Sequence, residues 1–138
     1  TSYADGDIYL HPPRTVAGRV MTYAMFTDPP LGRVGWTSQQ ARESGRNVLK
    51  AEIPMSSVSR ARLESEETGV MRVLVDADTE EFLGATILGL QADDVVQVIG
   101  VAMQAGVRYP TVRDALPIHP TVSEFFPTIL AALEPLDS

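Results

Sequence analysis

The sequence predicts an α+β domain, an antiparallel β-sheet with helices packed to one side. Three observations carry that expectation. The stretches "VMRVLVD" and "FLGATIL" alternate apolar residues on either side of a polar turn, which reads as a hairpin. The run "VVQVIGVAMQAG" carries its apolar residues at helical spacing and comes after the hairpin. Along the 138 residues the order is strands, a helix, strands, then helices, without the βαβ rhythm of a parallel sheet.

Taken in order, residues 1–20 read as a leader into the domain. Pro12 and Pro13 remove backbone donors there and push the residue before each away from helical angles. "VMTYAMF" is a strand, stopped at "TDPP", where Pro29 and Pro30 cannot join a ladder. "GRVGWT" is a second short strand, and Thr37 or Ser38 then caps a helix, "SQQARESG", that Gly45 ends. "NVLKAEIP" alternates as a strand, whereas "MSSVSRARLESEETG" has no clean period and reads as a loop. In the hairpin, Met71, Val73 and Val75 line one face and Leu83, Ala85 and Ile87 answer them, with "DADTEE" as the turn.

The next helix places Val95, Val98, Ile99, Ala102 and Met103 on one stripe. Asp93 and Asp94 suit its positive end and Gly106 its stop. Gly100 costs about 1 kcal/mol there relative to alanine, which predicts close packing. "TVRDAL" is a short helix and "TVSEFFPTILAAL" the last one, with Pro127 expected to kink or break it. Phe125, Phe126, Ile129, Leu130, Ala131, Ala132 and Leu133 make that last helix apolar nearly all round. Such a helix must be covered, which predicts a partner surface.

Composition narrows the function. A formal net charge of −7, with Lys and Arg scattered, argues against nucleic acid, since no basic surplus exists to displace counterions. No apolar run reaches the roughly 18 residues that span a bilayer, so no membrane partner is expected. The start "TSYADGDIYL" lacks the pattern of a secretory signal, and the expected location is cytoplasmic. With no cysteine, the chain holds no disulfide, thiolate metal site or dithiol chemistry of its own.

Several motifs are weighed and set aside. Gly6–Asp7 and the other glycines form neither G-x-G-x-x-G nor a P-loop, so the chain carries no dinucleotide site. "DADTEE" places acids like a calcium loop, but Glu81 stands where glycine is required and Ile87 where a bidentate acid is required. A solvated hairpin turn is the better reading, and with His11 isolated beside two prolines no metal is assigned. No G-x-S-x-G elbow accompanies the two histidines. Arg60 and Arg62 are surface charges, or the anchors of an acidic ligand in a rival reading as a small binding domain.

That leaves "HPTVSE", residues 119–124, which supports two readings. In one, Thr121 and Glu124 form a capping box at the start of a helix. In the other, Glu124 accepts from Nδ1 of His119 and leaves Nε2 free for proton transfer near neutral pH. The two are compatible, since a carboxylate has two oxygens. A histidine with no nucleophile, cofactor or metal in its own chain has nothing to act on, so the pattern points to a catalytic residue lent elsewhere.

These residues resemble the C-terminal interface (dimerisation) domain of the FAD-dependent pyridine nucleotide–disulfide oxidoreductases, the family of glutathione reductase, dihydrolipoamide dehydrogenase and mercuric reductase-like enzymes. The matching stretches are "YAMFTDPPLGRVGWT", "GVMRVLVDADTEEFLGATILG", "VVQVIGVAMQAG" and "HPTVSE", in the family's order and over roughly residues 14–135. The resemblance implies a homodimer formed through residues 21–138, with residues 1–20 leading in from FAD and NAD(P) domains upstream. It implies that FAD and NAD(P)H serve the parent enzyme and that neither is bound by this domain alone. His119 matches the family's general acid/base at the partner subunit's flavin, Glu124 the acid that orients it, and His119 with Pro120 the segment that touches that flavin. The fragment alone is expected to be inactive. Mercuric reductases proper carry a C-terminal cysteine pair, and this chain ends "LEPLDS" without one, which weighs against mercury reduction. The rival within the same fold is a non-catalytic dimerisation module in which Glu124 only caps a helix.

Overall fold

A computed structural model describes residues 22–25, 29–57, 63, 65, 68–115, 122 and 125–136. The expectations for residues 1–20, for Arg60 and Arg62, and for His119, Pro120, Thr121 and Glu124 lie outside these residues.

Among the described residues one six-stranded sheet forms, built from β1 (Thr22–Met25), β2 (Leu31–Gly35), β3 (Val48–Pro54), β4 (Val70–Asp76), β5 (Phe82–Leu88) and β6 (Glu134–Pro135). Its spatial order is β1-β2-β5-β4-β3-β6 and every pairing is antiparallel. The helices are α1 (Ser38–Glu43), α2 (Ala92–Gln104), α3 (Tyr109–Arg113) and α4 (Phe125–Ala131). This is the α+β sheet-and-helix arrangement that the alternating strands predict.

The main core lies between the sheet and α2 and α4. Val34, Ala51, Met71, Val73, Val75, Ala85 and Ile87 point into it from the strands, and Val96, Ile99, Phe126, Ile129 and Leu130 from the helices. Helix α2 can lie close on β2 because Gly32 has no side chain. A Cβ there would stand 2.3 Å from the Ala92 carbonyl oxygen and 2.8 Å from Cγ1 of Val96. A close approach of helix and strand is thus made at Gly32. Helix α2 stops as its glycine predicts: Gly106 has φ +70°, Val107 N–H donates to the Ala102 carbonyl and Gly106 N–H to that of Met103. That pair of bonds closes the helix end with a left-handed residue.

Four details depart from the sequence reading. Leu83 does not line the core. The β4–β5 register shifts between Leu74 and Val75, so Gly84 opposes Leu74 but Phe82 opposes Val75. The bulge breaks the alternation, sending Phe82 into the core and Leu83 to the other face. Val98 is exposed and Val96 takes the buried place on α2. The short helix spans Tyr109–Arg113, two residues before the expected start. Pro110 explains this, since proline fits the first turn of a helix, where its missing N–H has no partner to lose.

The fourth departure concerns α4. It begins at Phe125, and Val122 lies in a bend outside it. Pro127 therefore sits third in the helix, within the first turn, and the helix continues past it to Ala131. Nor does α4 need a partner to hide its apolar stripe, because Phe126, Ile129 and Leu130 are buried in the domain's own core. After it, β6 pairs with β3 through Leu49↔Pro135 and Lys50↔Glu134, a strand that "LEPLDS" did not suggest.

A smaller cluster occupies the opposite face at one end of the sheet: Ala41 of α1, Val48, Leu74, Leu83 and Leu136, with Trp36 against them. Thr37 is the N-cap of α1, its hydroxyl accepting from Gln40 N–H while Gln40 Oε1 accepts from Thr37 N–H. The reciprocal cap expected at residues 121–124 has a clear counterpart here, with glutamine in the acid's place.

Candidate functional site

The segment carrying His119, Pro120 and Glu124 leaves the described structure after Ala115 and returns at Val122 and Phe125. What is described is how firmly its two ends are held.

On the incoming side, α3 is tied to the hairpin turn. Tyr109 N–H donates to the Glu80 carbonyl at 2.9 Å, and Glu81 and Arg108 form an isolated antiparallel bridge. Tyr109 and Val112 pack on the main core. The Arg113 guanidinium lies 5.8 Å from the centre of the Tyr109 ring and 3.0 Å from Asp114. The hydrogen bond from Arg113 holds the Asp114 carboxyl below its ordinary range. Both charges are well exposed, so this pair orients the surface of α3 and adds little stability.

On the outgoing side, Val122 is 1% exposed and belongs to the core. Phe125 N–H donates to its carbonyl at 3.3 Å, and Phe126 is buried in the first turn of α4. Helix α4 packs on α3 and β3. Both arms of the histidine segment are therefore bolted to one core.

The hairpin turn itself is shaped by Asp76. This residue is 3% exposed, and its Oδ1 accepts from the N–H groups of Asp78 (2.8 Å) and Thr79 (3.0 Å). Its Oδ2 lies 3.4 Å from Arg46, which in turn stands 5.5 Å from the Trp36 ring centre. The Thr79 N–H is the main influence lowering the carboxyl's pKa below its ordinary value. Burial opposes it, and Asp78 and Arg46 reinforce it. The acid that opens "DADTEE" thus spends one oxygen on its own turn and the other on Arg46. Among the described residues no three His, Cys, Asp or Glu side chains come together as a metal site. No described helix is long and apolar enough to cross a membrane.

The arrangement has known relatives. The profile of the family described as "Pyridine nucleotide-disulphide oxidoreductase, dimerisation domain" matches residues 21–130. The chain is 37% identical over 102 residues to a probable pyridine nucleotide-disulfide oxidoreductase RclA of Escherichia coli (strain K12), covering 74% of this chain and 23% of that protein. It is 33% identical over 111 residues to a mercuric reductase of Staphylococcus aureus, covering 80% of this chain and 20% of the relative. The structure of the HOCl-induced flavoprotein disulfide reductase RclA from Escherichia coli superposes with a TM-score of 0.85 at 31% identity, over 94% of this chain and 30% of that one. The chain thus spans under a quarter of these two curated relatives. With the profile covering most of its length and the sheet and helices superposing on a solved member, the chain belongs to the pyridine nucleotide-disulphide oxidoreductase family, as its dimerisation domain.

Proposed function

We propose that this chain is the interface domain of a homodimeric FAD- and NAD(P)H-dependent disulfide oxidoreductase, and that it lends His119, oriented by Glu124, to the flavin site of the partner subunit. Residues 1–20 link it to an upstream flavin domain, residues 21–138 form the interface domain, and the assembly works in the cytoplasm. The observation that carries this reading is the dimerisation-domain match over residues 21–130. Relatives named oxidoreductase, dihydrolipoyl dehydrogenase and mercuric reductase support the redox class.

The described fold fits a domain that meets a flavin without holding it. The described strand pairs are all antiparallel, whereas the G-x-G-x-x-G dinucleotide fold is built on parallel βαβ units. Flavin bound by the rest of the protein supplies the two-electron chemistry. His119 and Pro120 are the residues of this chain that would touch it. A carboxylate accepting from Nδ1–H fixes the imidazole tautomer and raises its basicity, so Nε2 takes a proton from a thiol and returns it at near-neutral pH. Val122 and Phe126, on the C-terminal side of His119, are buried in the core.

The test uses the full-length protein. His119→Gln should keep its flavin and its reduction by NAD(P)H, and lose roughly 100- to 10,000-fold in disulfide turnover. Glu124→Gln preserves a cap but not a charge. The reading expects it to lower the apparent pKa of the histidine limb in the kcat/KM profile. A non-catalytic module predicts an unchanged profile and full turnover in both variants. An upstream C-x₄-C pair belongs to the enzyme reading, and its absence from the parent would count against it.

A further inference from the structure

The buried acid Asp76 has no part in the chemistry proposed above. It closes β4, and its Oδ1 accepts from the N–H groups of Asp78 and Thr79. Its backbone joins in: Asp76 N–H donates to the Glu81 carbonyl at 2.9 Å, and its carbonyl accepts from Glu80 N–H at 3.0 Å. Thr79 Oγ1 accepts from Glu81 N–H as well. These bonds fold residues 76–81 around one carboxylate. Within the loop Glu80 has φ +64°, a left-handed conformation that a side chain disfavours and that persists where the surrounding bonds enforce it. From that conformation the Glu80 carbonyl accepts from Tyr109 N–H at 2.9 Å, and beside it Glu81 pairs with Arg108. The turn thus makes its contact with α3 at the first residues of that helix.

Helix α3 depends on that contact. At five residues it is far below the length that holds itself together in water. Its N-cap, Arg108, makes no side-chain cap bond, and Pro110 has no N–H to satisfy. The Tyr109 N–H, first in the helix, takes its acceptor from the turn instead. The described part of this arm ends at Ala115, four residues before His119 in the sequence. We infer that Asp76 is a positioning residue for the disulfide step: it holds the β4–β5 turn in shape, the turn sets the start of α3, and α3 sets where the stretch leading to His119 begins. The inference rests on the reading of His119 as the proton carrier and adds to it a residue distant in sequence that touches neither substrate nor flavin. A purely local role would be to stabilise the hairpin, and the two roles differ in what the Asp76 acceptor does to turnover by folded protein.

The experiment uses the full-length protein and counts disulfide turnover per bound flavin, so that unfolded protein drops out. The variants are Asp76→Ala, Asp76→Asn, Leu74→Ala, His119→Gln and the double variant Asp76→Ala/His119→Gln. Asp76→Asn keeps a side-chain oxygen that can accept both N–H groups. Leu74→Ala lies on the same strand and empties a buried site, leaving the turn its acceptor. Asp76→Ala should lower kcat roughly 10- to 100-fold while flavin reduction by NAD(P)H keeps its rate. Asp76→Asn should recover most of that loss, and Leu74→Ala should turn over like the wild type. The double variant should fall no further than His119→Gln, because positioning a group that has been removed changes nothing. Should Asp76→Ala fail to fold, Asp76→Ser takes its place, a shorter acceptor expected to lose severalfold. Full turnover in Asp76→Ala (or in Asp76→Ser, where that variant replaces it), an equal loss in Leu74→Ala, or losses that multiply in the double variant would each overturn the positioning role. An Asp76→Asn variant as poor as Asp76→Ala overturns its hydrogen-bond basis. In all these cases an inactive His119→Gln leaves the catalytic reading standing, whereas full turnover in His119→Gln overturns that reading and this inference together.

Discussion

The two faces of the sheet are built to different standards. One is sealed by α2 and α4 over a continuous apolar layer in which Met71, Val73, Val75, Ile87, Ile99 and Ile129 are fully buried. On the other, among the described residues, a smaller cluster forms at one end, where Ala41, Val48, Leu74, Leu83 and Leu136 meet. Further along it lies a polar row across the strands, in which Arg33, Thr86, Arg72 and Glu52 stand opposite one another in register. Stability is concentrated on the first face, which is also where both arms of the histidine segment are anchored. The second face contributes a small cluster, a shaped turn and surface charge pairs.

That contrast is broken most sharply by truncating one side chain on each face. Phe126→Ala should cost about 3–5 kcal/mol, because it empties the site between α4 and the sheet and loosens the outgoing arm as well. Leu74→Ala should cost about 2–3 kcal/mol, since its cluster is small and can partly collapse. Urea denaturation of both variants measures the difference. Equal losses would show that the two faces carry the fold alike.

A smaller effect separates the faces by pH. The Asp76 carboxyl titrates below its ordinary value of 3.8 in the folded chain. A lowered folded pKa means that its contribution is fully present above the unfolded value and is lost as pH falls through the folded one. Denaturant midpoints should therefore fall between about pH 4 and lower pH, more steeply in the wild type than in Asp76→Asn. Asp76→Ala, which strips the acceptor from Asp78 and Thr79, should cost about 1–3 kcal/mol at neutral pH. The core variants should shift stability at every pH without changing that slope.

How much of this was legible in the sequence follows from what each signal encodes. Alternation marked β3, β4 and β5, and helical spacing marked α2, because those elements bury a regular set of residues. Leu83 was misplaced because a bulge is a pairing event between two strands, and nothing in "FLGATIL" alone announces it. Val98 was read as buried because valine looks alike on a core stripe and on an exposed one; only the neighbouring sheet distinguishes them. The short β6 was invisible because two residues carry no period, and its partner β3 lies some eighty positions earlier. The candidate site was legible as a motif, His119 and Glu124 beside a proline. The arms that hold it were not, since the bond from Tyr109 to Glu80 and the burial of Val122 depend on tertiary contact.

The weakest expected effect lies in the polar row. Arg72 Nε stands 2.6 Å from Glu52 Oε2, directly across β3 and β4, with both side chains about two-fifths exposed at 41% and 43%. A short distance suggests strength, yet water competes for both groups, and holding two long side chains in one geometry costs entropy. A double-mutant cycle of Arg72→Ala and Glu52→Ala should give a coupling of about 0.2–1 kcal/mol, shrinking as salt is raised. Ser38 Oγ also lies 3.5 Å from Arg72, so removing the arginine disturbs the start of α1 as well. Arg72→Ala should therefore cost slightly more than Glu52→Ala. A coupling well above 1 kcal/mol that resists salt would mean that the row is shielded and this face is covered in the assembled protein.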